Sequence, residues 1–64
     1  MSKLKQRRTE AGLTQKELAD KTELSLRTLQ HYEQGSKDLA TAAAITVWKI
    51  AKVLGCTIED LIEV

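Results

Sequence analysis

Residues 14–35 read TQKELADKTELSLRTLQHYEQG, and the rest of the chain is arranged around them. Thr14-Gln15-Lys16-Glu17 has the capping-box form. In that form the hydroxyl accepts from a free backbone N–H, and the glutamate three places on reaches back. Ser25 precedes Leu26-Arg27-Thr28-Leu29, where a second N-cap belongs. Between the two caps, Lys21-Thr22-Glu23-Leu24 leaves room for only a tight bend. Leu18, Ala19, Leu24, Leu29 and Tyr32 can close one small core between two short helices.

Working outward, a first helix is predicted from Ser2 to Ala11, with Ser2 as its N-cap. Leu4, Arg8 and Ala11 share one of its faces, and Lys3, Lys5 and Arg7 point to solvent. Gly12 ends this helix in the left-handed conformation that glycine tolerates, and Leu13 packs behind it. Gly35 stops the third helix in the same way. A longer helix is predicted from Leu39 to Leu54, capped by either Asp38 or Thr41. Ala43, Val47, Ile50, Ala51 and Leu54 form its buried stripe, with Lys49 and Lys52 opposite. Thr57-Ile58-Glu59-Asp60 opens a last short helix that contributes Ile58, Leu61 and Ile62. Each of the three glycines falls one place beyond a predicted helix end, so capping and periodicity agree. The expectation is an all-α, compact five-helix domain occupying residues 1–64.

With 64 residues the chain makes one domain with a modest core, so it needs good helix packing or a partner subunit. A single cysteine, Cys56, allows no internal disulfide and fits a reducing cytoplasm. No apolar run is long enough for a bilayer, and no signal-peptide pattern is present. Residues 1–37 hold eight Lys or Arg against five acids, and residues 38–64 hold two against four. A cationic front and an anionic back suit a domain that shows one face to phosphate; ordinary scattered surface charge fits equally well. His31, Cys56 and the acids lack metal-ligand spacing, no nucleophile is paired with a histidine, and there is no glycine-rich phosphate loop. The sequence therefore points to no enzyme, metal, cofactor or small-molecule ligand. Cys56 is expected as a small core residue, and Trp48 as either core or interface.

Two short helices about a tight turn make the helix-turn-helix arrangement, whose second helix can enter a DNA major groove. The chain resembles the phage-repressor group, the lambda repressor and Cro-like helix-turn-helix domains. The marks are Gly12-Leu13-Thr14-Gln15, Glu17-Leu18-Ala19, the cap Ser25, and Tyr32-Glu33-Gln34-Gly35. The block Ile50-Ala51-Lys52-Val53-Leu54-Gly55-Cys56-Thr57-Ile58-Glu59-Asp60-Leu61 is also similar to the family's last two helices. The chain departs from the family around Leu39–Ala44, where extra residues are read as added turns at the start of helix four.

The resemblance implies that helix three reads base edges in double-stranded DNA. Arg27, Gln30, His31 and Gln34 face outward at helical spacing. Arg27 is the leading candidate, because a guanidinium can donate twice to guanine. Leu26 stands where the family often has a reading side chain; it either touches a thymine methyl or turns inward. Gln15, Lys16, Thr28, Ser36 and Lys37 are the expected phosphate contacts, with Gln15 and Thr28 also readable as plain helix-start residues. The family's arginine–glutamate pair would fall on Arg8 and Glu33, where two separate charges would be costly to bury. A homodimer on a roughly palindromic operator is expected, joined through the C-terminal part with Trp48, Ile62 and Val64. The role implied is a transcriptional repressor working in the cytoplasm. A protein-binding adaptor or antitoxin-type partner is the alternative on the same fold.

Overall fold

The computed structural model describes residues 2–62. Four α-helices run in order: α1 (Lys3–Glu10), α2 (Gln15–Thr22), α3 (Leu26–Gln34) and α4 (Ala44–Leu54), with a 3₁₀ turn at Leu39–Thr41 before α4. Each of the first three starts on a hydroxyl. Ser2 accepts from the Lys5 N–H at 3.0 Å. Thr14 accepts from the Glu17 N–H at 3.1 Å, and the Glu17 carboxylate accepts from the Thr14 N–H at 2.9 Å. Ser25 accepts from the Thr28 N–H at 3.1 Å. These bonds occupy backbone donors that have no partner within the helix.

Leu4, Leu18, Ala19, Leu29, Leu39, Val47, Ile50, Ala51 and Leu61 form one buried cluster, so every element contributes to a single core. Leu13, Leu24, Tyr32 and Cys56 pack on its margin. The link between α2 and α3 is only Glu23, Leu24 and Ser25. Glu23 takes the left-handed conformation at φ 61°, a place usually given to glycine. Its strain is tolerated because the next N–H, of Leu24, closes α2 on the Ala19 carbonyl at 3.0 Å and sets Leu24 against the core.

Two predicted elements differ. Helix four does not begin at Leu39. Leu39–Thr41 form the 3₁₀ turn, and Ala42 and Ala43 are extended at ψ 159° and 140°. Asp38 caps that turn, accepting from the Ala40 N–H at 3.0 Å, while the Thr41 hydroxyl donates to the Asp38 carbonyl at 2.7 Å. Neither caps α4, whose N-cap is Ala43. An alanine-rich run favours helix, but propensity yields here to packing. The break buries Leu39 and sets Ala42 against the core, leaving Ala43 exposed and off the expected stripe.

The fifth helix is also absent among the described residues; α4 is followed by a single turn. Thr57 and Asp60 do form a reciprocal box, at 3.1 and 3.3 Å. The turn then closes with the Leu61 N–H on the Ile58 carbonyl at 3.0 Å, and Leu61 drops into the core. One turn nucleated by the box is enough to bury Leu61, and it is not propagated. On α1, Ala11 is exposed rather than buried. Arg7 is half-buried rather than solvated, pairing with Asp60 of the closing turn at 3.4 Å. Lys3 Nζ donates to the Ile62 carbonyl at 3.2 Å. Ser2 and Leu61, with Tyr32 and Leu39, border a cleft of about 310 Å³.

Candidate nucleic-acid interface

The site is built from the start of α2, the outer face of α3 and the loop that follows it. Leu26 opens α3 and is 42% exposed, so it does not turn into the core. Arg27 is exposed, and among the described residues it has no ion-pair partner. Its whole fork of N–H donors is therefore available. Gln30 and His31 follow one turn on, half-buried, and Gln34 is exposed at the end of the helix. Leu29 and Glu33 take the opposite face and are buried. The outward row and the inward row thus separate along one helix, as the 3.6-residue period requires.

The flanking polar residues are held by backbone geometry. Gln15 and Lys16 open α2 just behind its cap, Gln15 half-buried and Lys16 exposed. The capping box engages the N–H groups of Thr14 and Glu17 and leaves those of Gln15 and Lys16 at the positive end of the helix. Hydrogen bonds from the Thr14 backbone, then from its hydroxyl, hold the Glu17 carboxyl below the usual carboxylate range. At α3, the Ser25 hydroxyl donates to Thr28 Oγ1 at 2.8 Å, which leaves Thr28 its own proton to donate. Ser36 and Lys37 follow Gly35 and are exposed. The Lys37 N–H closes α3 on the His31 carbonyl at 3.2 Å, so only its side chain is left to reach outward.

Arg8 and Glu33 meet beneath this surface, at 8% and 7% exposure. Arg8 donates through Nε to Glu33 Oε2 at 2.7 Å and through Nη2 to Oε1 at 3.2 Å. Its Nη1 donates to the Leu13 carbonyl at 2.8 Å. One guanidinium therefore ties α1 to α3 and to the turn before α2. Sequence reasoning missed the next step. Gln15 Nε2 also donates to Glu33 Oε1, at 3.1 Å, and Gln15 Oε1 accepts from Gln30 Nε2 at 3.4 Å. Three residues assigned separately on sequence grounds are one connected group. Residues 15, 30 and 33 carry no spacing signal that would join them.

α4 carries an exposed apolar patch. Trp48 is 49% exposed and so is not core, and Ile45, three residues earlier on α4, is 59% exposed. Ile45 was not anticipated; its signal is that it lies a turn from Trp48 and off the Val47–Ile50–Ala51 stripe. Lys52 Nζ sits 5.6 Å from the Trp48 ring centroid. Lys49, expected opposite the buried stripe, is half-exposed and meets Glu23 at 3.2 Å. Ile62 is half-buried with its carbonyl held by Lys3, and Val64 lies outside the described residues. Cys56 is half-buried beside the closing turn; burial, then the Asp60 charge, pushes its thiol up.

Among the described residues no helix is long and apolar enough to cross a membrane, and no group of metal-ligating side chains gathers. No curated protein and no solved structure matches the chain. The family model for helix-turn-helix domains of the Cro/C1 type matches residues 4–61. That span runs from the first core residue of α1 to the last core residue of the closing turn, and includes the bent pair α2–α3 with its exposed outer row. The chain belongs to the Cro/C1-type helix-turn-helix family of DNA-binding transcription regulators.

Proposed function

We propose that the protein is a repressor that binds a near-palindromic operator as a homodimer, with α3 lying in the major groove. The observation that carries this reading is the exposed start of α3, where Leu26 and Arg27, the latter without an ion-pair partner among the described residues, stand clear of the core. Arg27 donates twice to a guanine edge, a contact worth about 1–3 kcal/mol of discrimination. Leu26 packs on a thymine methyl, and Gln30 and His31 meet the next base edges. Gln15, Lys16, Thr28, Ser36 and Lys37 hold the phosphates on either side and set the register without reading sequence. Two copies reach half-sites about 34 Å apart and so double the few contacts that one small module makes. The exposed Ile45 and Trp48 supply an apolar surface for that pairing. Occupying the groove blocks other proteins from the same duplex, which is repression in its simplest form. We place this action in the cytoplasm, whose reducing conditions suit the single, unbridged Cys56.

Fluorescence anisotropy on selected duplex DNA tests the reading. Arg27→Ala is expected to lower specific affinity by about tenfold or more with helicity unchanged, and affinity for the selected site is expected to fall steeply with salt. Unchanged specific affinity in the variant counts against it. The same Ile45–Trp48 patch also suits a different protein, as in an adaptor or antitoxin-type role. Binding to a protein partner that resists salt, with no sequence enriched on DNA, would favour that second reading.

A further inference from the structure

Glu33 stands at the root of a directed chain of hydrogen bonds. A carboxylate can only accept, and this one accepts from Arg8 Nε at 2.7 Å, Arg8 Nη2 at 3.2 Å and Gln15 Nε2 at 3.1 Å. The last bond decides which way the Gln15 amide is turned. Its NH₂ group faces Glu33, and its carbonyl oxygen is left to accept from Gln30 Nε2 at 3.4 Å. The constraint passes to Gln30 in turn. Rotating the Gln30 amide by half a turn would set its carbonyl against the Gln15 carbonyl, two acceptors facing each other. An ordinary surface glutamine has no such restriction.

One proton of the Gln30 NH₂ group goes to Gln15, so its carbonyl oxygen and second N–H remain. Adenine offers the complement in the major groove, a donor at N6 beside an acceptor at N7, whereas guanine offers two acceptors. Resting on the reading that α3 enters that groove, we infer that Gln30 selects an adenine. Gln15 is the positioning residue that holds the Gln30 amide in the adenine-reading sense. The buried Glu33 carboxylate, kept in place by Arg8, is the origin of that polarity.

The test uses the full chain. Bound sequences are first selected from random duplex DNA, and each base pair of the selected half-site is then exchanged in turn and titrated by anisotropy. The wild type is expected to lose about 5- to 150-fold in affinity when one particular A·T pair becomes G·C. Gln30→Ala is expected to erase that dependence and keep the others. Gln15→Met, which preserves bulk, is expected to move the preference at that same position toward parity, with helicity retained by circular dichroism. A Gln15 that only touches phosphate would lower affinity for all sequences alike and flatten the salt slope, with the A·T preference intact. That result overturns the positioning role. A selected half-site with no A·T preference dependent on Gln30 overturns the inference while leaving DNA recognition standing. A selection that enriches no sequence overturns the reading on which it rests.

Discussion

Glu33 is the residue on which three helices depend. Its carboxylate is nearly out of water, and it is tolerable there because Arg8 and Gln15 together give it three donors. Deleting one partner of such a pair leaves a bare buried charge. Arg8→Ala is therefore expected to cost about 3–5 kcal/mol, most of the stability of a domain this small, read as a lowered midpoint in urea. Combining Arg8→Met with Glu33→Leu should recover part of that loss, since two apolar side chains of similar bulk leave no charge unpaired. The pairing of Arg8 with Glu33 is implied by the resemblance to phage repressors, given the positions of both residues. The bond from Gln15 is not implied. It joins residues on different helices, and only the packing of α2 across α3 brings the amide within reach.

Among elements, the two reciprocal boxes make a useful contrast. Thr14 with Glu17 opens eight residues of helix, whereas Thr57 with Asp60 opens a single turn. In each, hydrogen bonds from the threonine backbone and then its hydroxyl hold the acid below the usual carboxylate range. A carboxyl whose folded value is depressed adds stability that is complete above its unfolded value, and that is lost as pH falls through the folded one. Melting temperature is thus expected to drop on acidification below the ordinary carboxylate range. Glu17→Gln, which can still reach back to the Thr14 N–H, is expected to flatten that slope. Thermal melts from neutral to strongly acid pH check both. The caps, the glycine stops and the α2–α3 bend were legible because each is a short-range device written in adjacent residues. The start of α4 was not legible. Residues 40–44 contain four alanines, which locally favour helix, and only the contacts of Leu39 and Ala42 with the assembled core select the 3₁₀ turn and the extended link. The closing turn failed for the same reason: a box announces a helix start and says nothing of its length.

At the scale of the whole molecule, α3 and the outer face of α4 present different chemistry. α3 shows arginine and amides; α4 shows Ile45 and Trp48, the latter bordered by Lys52. If α4 joins two copies, a charge placed in its patch should separate them. Ile45→Lys is expected to raise the dimer dissociation constant by at least about tenfold in sedimentation equilibrium, as for disruption of an aromatic-centred hot spot. Affinity for a full operator should fall with it, while affinity for an isolated half-site stays as it was. Trp48 was readable from sequence as core or interface and was counted toward the expected dimer contact, whereas Ile45 was not singled out. Which apolar side chains stay outside is decided by the faces that the other helices leave uncovered.

The cleft shared by Ser2 and Leu61, together with the grip of Lys3 on the Ile62 carbonyl, has a bearing on engineering. Ser2 and Ile62, the first and last of the described residues, lie at one corner of the fold. A reporter joined next to Ser2 or next to Ile62 would start from that corner, and two such cargoes would crowd each other.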